Sequence, residues 1–242
     1  MTPYRSALLL GSDHPDLGEI AVESVSDGFA IGLSRGRFPK GYPHVDPNED
    51  AAFAAAIDGA AVFAVADGHN GFDAARAAIE GIADTTPQVL SAPATLAVER
   101  LLTVAIERVR NFVPPLASPR NKSGAALTIV FARGGEMTTA TLGDSGYALA
   151  TKRRVRLNVG RARFLTPATD PTAVPIETVS LPSASLILAA SDGVFDFASK
   201  TLDTYLRSPV AGNAAEIAAD IIDFAGNAGA GDHLSVAVLR RD

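Results

Sequence analysis

The chain has 242 residues, of which 47% are hydrophobic and 20% charged, and its net charge is −6. This composition is typical of a folded globular protein and excludes an intrinsically disordered one. Because there is no cysteine, disulfides, thiolate nucleophiles and cysteine-based metal sites are excluded. The acidic balance disfavours nucleic acid or an anionic membrane as a partner.

The N-terminal segment contains an Ala-Leu-Leu-Leu run at residues 7–10. This run is too short for a signal-peptide core or a membrane span. Together with the lack of cysteine, it leads us to expect a cytoplasmic protein. The length suits one large globular domain or two small ones.

Hydrophobic patterning predicts the secondary structure in chain order. Residues 34–48 contain three prolines and two glycines and are expected to form a loop. Strands are predicted at 18–33 (one or two), 60–66, 124–132, 136–151 with an interruption at 143–146, 184–190 and 234–240. Helices are predicted after Asp73, at 93–113 and at 213–226. Because strands and helices do not alternate regularly, the pattern favours two antiparallel sheets covered by segregated helices.

Several aspartates stand beside predicted strand ends or in glycine-containing turns. Carboxylates at neighbouring strand ends converge at one edge of a sheet, where their repulsion needs a compensating cation. Mg²⁺ and Mn²⁺ prefer such oxygen ligands, and a glycine lets its carbonyl approach an ion closely. The segments are Asn48-Glu49-Asp50, Asp67-Gly68-His69-Asn70-Gly71, Ser191-Asp192-Gly193 and Gly231-Asp232-His233.

Each of these segments also has a simpler interpretation. Asp-Gly is a common turn dipeptide, and His69 taken alone could be an ordinary surface or core histidine. The sequence Gly143-Asp144-Ser145-Gly146 between two apolar runs suits a hairpin turn. The order and spacing of the segments therefore decide their interpretation.

In that order, the motifs resemble those of the metal-dependent Ser/Thr protein phosphatases of the 2C type. The most specific one is a strand that ends in Asp-Gly-His-x-Gly, at residues 62–71. The resemblance extends from about residue 28 to the C-terminus. The other matching segments are Asn48-Glu49-Asp50-Ala51, Ser123–Ala126, Thr141–Ser145, Leu186–Asp196 and Asp232 before the last predicted strand.

The resemblance implies a single phosphatase-type domain over residues 1–242 with a four-layer αββα fold of two stacked antiparallel sheets. It also implies hydrolysis of phosphoserine and phosphothreonine in protein substrates by a hydroxide that bridges two Mn²⁺ or Mg²⁺ ions. Asp67 would bridge both ions, Asp192 and Asp232 would complete one, and Glu49 with the Gly68 carbonyl would hold the other. Further implied roles are a weaker third ion at Asp144 with Asp192, a general acid at His69 and orientation of metal-bound water by Asp50.

Two departures from the family pattern affect these expectations. The family carries a phosphate-binding arginine four residues before the first acidic Glu, where this chain has Val45. Arg37 is our first candidate to replace it, and the alternatives are Arg35, Lys40 and His44. Only about 50 residues separate Gly143 from Asp192, so the flap beside the active site is expected to be short or absent.

Basic residues cluster at 152–163 although the chain as a whole is acidic. They could attract acidic phosphoproteins to one side of the cleft, or they could form a solvated edge strand that discourages aggregation. We favour the edge strand. The cluster comprises Lys152, Arg153, Arg154, Arg156, Arg161 and Arg163.

Two other functions stay open at this stage. The chain could be a catalytically weak relative that binds phosphorylated partners as a regulatory module, which the missing arginine and the short flap favour. It could also hydrolyse small phosphoesters, which an open cleft would suit. The predicted metal ligands and His69 favour an active protein phosphatase.

Overall fold

Two six-stranded antiparallel sheets are stacked in the computed structural model, which describes residues 3–41, 47–112, 123–151, 154–160, 163–207 and 212–241. The first sheet has the spatial order β1 (Arg5–Leu10), β4 (Ala51–Ile57), β5 (Ala60–His69), β6 (Gly124–Arg133), β7 (Glu136–Leu142), β10 (Ile176–Ser180). The second has the order β2 (Ala21–Ser26), β3 (Phe29–Ser34), β12 (Leu234–Arg241), β11 (Ser185–Ala190), β8 (Gly146–Thr151), β9 (Val155–Val159).

A pair of helices covers the outer face of each sheet. Helices α1 (Asp73–Val89) and α2 (Ala94–Phe112) pack on the first sheet, and α3 (Asp192–Arg207) and α4 (Ala214–Asn227) pack on the second. The buried apolar residues accordingly form three layers, one between the sheets and one beneath each helix pair. The predicted αββα sandwich is confirmed.

Strand β5 shows why the central strands are apolar throughout. Phe63 and Val65 face the second sheet, whereas Val62 and Ala64 face the helices, and all four are fully buried. A strand covered on both faces has no solvent-facing positions. The strand continues beyond the predicted end at residue 66 and includes Asp67, Gly68 and His69.

Patterning missed three strands and one helix, namely β1, β4, β10 and α3. Strand β4 reads Ala-Ala-Phe-Ala-Ala-Ala-Ile, and alanine favours helix over strand when it is considered alone. Tertiary packing overrides this propensity, because Ala54 lies opposite Phe63 of β5 and leaves room for its ring. Helix α3 buries Val194, Ala198 and Leu202 at four-residue spacing.

The segment 143–146 is not a hairpin turn, so that interpretation was wrong. Strand β7 before it pairs with β6 and β10, whereas β8 after it pairs with β9 and β11. The chain therefore crosses here from the first sheet to the second. Gly143 has φ +73°, a backbone conformation that side chains disfavour.

The region expected to hold a shortened flap contains little regular structure. Leu165 pairs with Ala125 through two backbone hydrogen bonds of 2.8 and 3.0 Å. Only the 3₁₀ helix Pro171–Ala173 and the edge strand β10 lie between Leu165 and β11, which agrees with a short flap. No helix in the described ranges is long and apolar enough to span a membrane.

The basic segment forms the edge strand that we favoured. Strand β9 is the last strand of the second sheet, and Arg154 and Arg156 beside and within it are exposed. Positive charge on an edge strand opposes pairing with another chain. Lys152, Arg153 and Arg161 lie outside the described residues.

Candidate metal centre

Strand ends bring the predicted carboxylates to one end of the sandwich. Glu49 and Asp50 directly precede β4, whose first residue pairs with Ala66 at the end of β5, just before Asp67. In the second sheet, Asp192 follows β11, and Asp232 precedes the neighbouring strand β12. Antiparallel pairing thus places the end of one strand beside the start of the next in both sheets.

Hydrogen bonds between the sheets hold these two groups of carboxylates together. Ser235 Oγ of β12 donates to Asp50 Oδ2 at 2.8 Å. The Glu49 backbone N–H donates to His233 Nδ1 at 3.0 Å, so the ring accepts at this nitrogen. The predicted residues Glu49, Asp50 and Asp232 therefore belong to one polar cluster between the sheet ends.

His233 and Ser235 differ in how visible they are in the sequence. His233 is visible as part of the segment Gly231-Asp232-His233, and the structure shows that its ring accepts the Glu49 N–H. Ser235 was missed, although it lies on the same face of β12 as Ala237 and Leu239, which face the space between the sheets. A polar residue on such an otherwise apolar face is a signal that could have revealed it.

Gly68 is required by close packing against the segment of Glu49. A Cβ at this position would lie 2.4 Å from the Glu49 carbonyl oxygen and 2.9 Å from the Gly71 carbonyl oxygen. Both contacts are to backbone, which cannot easily move. The absence of a side chain therefore lets the strand end pass directly over Glu49.

Replacing Gly68 with alanine is expected to lower the free energy of unfolding by about 1–3 kcal/mol, because the added methyl overpacks a buried site. Mn²⁺ affinity should fall as well, since Glu49 must shift. Urea unfolding and calorimetric Mn²⁺ titration measure the two effects. Gly231→Ala is the matched control, because a Cβ there meets nothing within 4 Å although it adjoins Asp232; equal losses in both variants would contradict the packing argument.

Several buried carboxylate oxygens receive no hydrogen bond from any described residue. Leaving a buried polar atom without a partner costs free energy, and more so when it is charged. Oxygen-rich clusters of this kind are suited to hard divalent cations. The oxygens are Asp50 Oδ1, Asp67 Oδ1, Asp67 Oδ2, Asp144 Oδ1 and Asp192 Oδ1. The residues present therefore fit the ions that the sequence predicts.

Burial and mutual repulsion raise the pKa values of these carboxyl groups. Burial raises the pKa of Asp67 well above its ordinary value, and the charges of Asp50 and Asp192 raise it further. The pKa of Asp50 is raised to about 7, mainly by burial, although Lys40 partly offsets this effect. Burial also raises the pKa of Asp192. The cluster thus needs either protons or cations to balance its charge.

The Asp50 pKa predicts how metal-free stability depends on pH. Between about pH 4 and pH 7 the folded carboxyl keeps a proton that the unfolded chain has released, so the free energy of unfolding falls as pH rises. Urea unfolding in a chelator at about pH 5 and about pH 8 measures this slope. Asp50→Asn should make the slope shallower, since asparagine does not titrate, while the raised pKa values of Asp67 and Asp192 maintain part of it; an unchanged slope would contradict the assignment.

Lys40 reaches into the centre from the segment after β3. Its Nζ lies 3.0 Å from Glu49 Oε2 and 2.8 Å from Asp232 Oδ1, and 3% of its side chain is exposed. Burial alone would lower the pKa of Lys40, but the charge and hydrogen bond of Asp232 and the charges of Asp50 and Asp67 together raise it. The ammonium therefore contacts one predicted ligand of each ion, Glu49 for one ion and Asp232 for the other.

His69 lies at the partly open side of the cluster. Its Nδ1 is 3.8 Å from Asp67 Oδ1, and 36% of its side chain is exposed. The ring centroid lies 4.3 Å from that of Phe164, which the sequence did not reveal as a site residue. Three potential ligand atoms, one from each of Asp67, His69 and Asp144, lie within 4.8 Å of one another. Asp144, predicted to act with Asp192, therefore lies near Asp67 and His69.

The structure does not bring Arg37 to the carboxylates. Its guanidinium pairs with Asp223 of α4 and packs against Gly226 of the same helix. Arg35 donates to the Pro15 carbonyl oxygen at 2.7 Å. Val45 and His44 lie outside the described residues. Of the proposed substitutes within the described residues, Lys40 is the one that contacts the carboxylates.

Solved phosphatase structures superpose on most of the chain. The catalytic domain of the Ser/Thr phosphatase PstP, solved with two manganese ions, is 18% identical and matches 92% of this chain and 99% of its own with a TM-score of 0.69. This chain has the PPM phosphatase fold. The resemblance predicted from the motifs is thereby confirmed at the level of the fold.

Other structures with this fold extend the comparison. RsbX, solved with magnesium, is 16% identical and covers 93% of this chain and 100% of its own, with a TM-score of 0.64. PppA, a regulatory component of the type VI secretion system in Pseudomonas aeruginosa, is 17% identical and covers 100% and 99%, with a TM-score of 0.66. Neither a protein-family model nor a curated protein matches the sequence.

Proposed function

We propose that this chain is a metal-dependent phosphatase that hydrolyses phosphoserine and phosphothreonine esters in proteins. The observation that carries the proposal is the group of buried carboxylate oxygens without hydrogen-bond donors among the described residues. They lie at adjoining strand ends of a fold shared with Ser/Thr phosphatases. Such a cluster has little structural value without cations, because unpaired buried charge destabilises a protein.

The residues that would hold two Mn²⁺ or Mg²⁺ ions lie in this cluster, and we propose the division between the ions that the family resemblance implies. Asp67 would be shared by both ions, Asp192 and Asp232 would complete one, and Glu49 with the Gly68 carbonyl would complete the other. A weaker third ion would use Asp144. When bound, the ions would lower the pKa of a water nucleophile and neutralise charge on the phosphoryl group.

Asp50 and His69 would move the protons of the reaction. Asp50 Oδ2 is fixed by the Ser235 hydroxyl, while Oδ1 has no donor among the described residues and can accept a proton from the attacking water. His69 is partly exposed and rests on Phe164, where it can protonate the departing serine or threonine oxygen.

The wider setting belongs to the same proposal. We propose that residues 1–242 work as one phosphatase-type domain in cytoplasmic signalling, with a phosphorylated protein as substrate and with neither nucleic acid nor membrane as a partner. The net charge of −6 supports this choice, because phosphate backbones and anionic lipids would repel the chain.

Release of phosphate from a phosphothreonine peptide, with Mn²⁺ and after removal of metal by a chelator, tests the proposal. We expect turnover that requires the metal and returns when it is restored. An aryl phosphate assayed in parallel distinguishes a protein phosphatase from a small-phosphoester hydrolase, which would act on the aryl phosphate alone. Turnover that persists in the chelator would contradict a metal-dependent mechanism.

A regulatory module that binds phosphorylated partners is the second candidate. It is favoured by the engagement of Arg37 with Asp223, which leaves this arginine on α4 instead of at the carboxylates. Mn²⁺ binding without turnover on either substrate, together with retention of the phosphopeptide, would support it over the enzyme.

A further inference from the structure

Lys40 connects the two predicted halves of the metal centre. Its ammonium contacts Glu49 Oε2 at 3.0 Å and Asp232 Oδ1 at 2.8 Å, and its side chain is almost completely buried. Glu49 and Asp232 belong to different predicted ion sets. A single positive charge on this chain therefore holds one oxygen of each set.

The backbone before Lys40 is anchored to the protein. Gly36 has φ +83°, and a Cβ there would lie 2.8 Å from the Asp232 carbonyl oxygen. Its own carbonyl oxygen accepts from the Gly18 N–H at 2.8 Å, and the next residue, Arg37, pairs with Asp223. Lys40 thus follows a fixed segment and is tethered beside the centre.

An ion on the same oxygens would be very close to this ammonium. Metal–oxygen distances for Mg²⁺ are about 2.1 Å. An ion bound to Glu49 Oε2 or Asp232 Oδ1 would therefore lie at most about 5 Å from Nζ in its described position. Like charges at this separation repel strongly inside a protein. The ammonium and the ions consequently compete for the same ligands.

We infer that Lys40 is a tethered competitor that closes the metal-free centre and must leave when divalent ions bind. This inference rests on the proposed function, because it uses the proposed assignment of ligands to the two ions. The Lys40 ammonium contacts one predicted ligand of each ion. The ion that displaces it therefore also frees a ligand for the second ion, so binding of the two ions is coupled.

Calorimetric titration of the metal-stripped protein with Mn²⁺ tests the competition. Lys40→Met is expected to bind Mn²⁺ about tenfold more tightly than the wild type, because a repelling charge is removed from the ligands. Lys40→Arg keeps the charge and should stay near the wild-type affinity. Arg207→Met is the matched control, since it removes a cation that pairs with Asp203 at the end of α3 farthest from Asp192.

Acetylation of lysines in the folded wild type gives a second readout that needs no variant. Lys40 should be protected in the chelator and become reactive when Mn²⁺ is added, with the urea-unfolded protein as the reference for full reactivity. Equal or weaker Mn²⁺ affinity of Lys40→Met, or acetylation of Lys40 that Mn²⁺ does not change, would overturn the inference. If either result is found and the wild type still hydrolyses the phosphopeptide, the inference about Lys40 is wrong and the proposed function stands. If the wild type binds no Mn²⁺, the proposed metal centre is wrong as well.

Discussion

Replacing Asp67 with asparagine should reduce Mn²⁺-dependent turnover of a phosphothreonine peptide at least about a thousandfold, since metal-ion stabilisation of a transition state amounts to several kcal/mol. Both oxygens of Asp67 are buried without a hydrogen-bond donor among the described residues. A neutral amide offers one weaker oxygen ligand and no charge. Steady-state kinetics at saturating Mn²⁺ measure the loss.

The same substitution should have the opposite effect on stability without metal. Burial and the charges of Asp50 and Asp192 raise the pKa of Asp67, so its ionised form is unfavourable in the folded state. In a chelator at about pH 8, Asp67→Asn should therefore unfold at a higher urea concentration than the wild type. Asp203→Asn, which changes an exposed aspartate paired with Arg207, is the control.

A variant that loses turnover and metal-free stability together would indicate general damage to the fold. Activity retained in Asp67→Asn would show that the shared ligand has been misassigned. The combination of lower activity and higher metal-free stability is specific to a carboxylate that needs a cation, because replacing a purely structural aspartate would lower both activity and stability.

Replacing His69 with glutamine is expected to lower turnover of the phosphothreonine peptide by about 10²–10³-fold, the usual contribution of a positioned general acid. The departing alkoxide of threonine is strongly basic and needs a proton. An aryl phosphate with an acidic phenol needs none, so its turnover should change little. The ratio of the two rates in the wild type and the variant is the measurement.

The position of His69 makes this comparison informative. Its ring is partly exposed beside Phe164 and near Asp67, so substitution should leave the packed core intact. His14→Gln alters a histidine that pairs with Glu19 and should leave both rates unchanged. Equal losses on both substrates would show that His69 supports the metal ligands and does not act as the acid.

Much of the fold was predictable because the buried strands and amphipathic helices have clear periodicity. The apolar run of β5 and the Leu101, Ala105, Val109 stripe of α2 are both fully buried, as their patterns indicate. Strand β4 was not predictable in the same way, because its alanines become strand residues only through packing against Phe63. Local propensity alone favours helix there.

The candidate site was predictable at the strand ends and less so between them. The segments at Asp67 and Asp192 follow apolar strands, and the structure places both beside the same cluster. The location of Asp144 depends on a crossing from one sheet to the other, which a single turn sequence does not distinguish from a hairpin. The contacts of Lys40 with Asp232 and of Ser235 with Asp50 join segments far apart in sequence, so no local pattern identifies either partner.

We propose that these carboxylates hold the divalent ions with which the chain hydrolyses phosphoserine and phosphothreonine esters. The most direct measurement is phosphate release from a phosphothreonine peptide by the wild type and Asp192→Asn, each with and without Mn²⁺. We predict turnover in the wild type with Mn²⁺ alone, and its loss in the variant. No turnover by a wild type that binds Mn²⁺, or equal turnover by the variant, would contradict the claim.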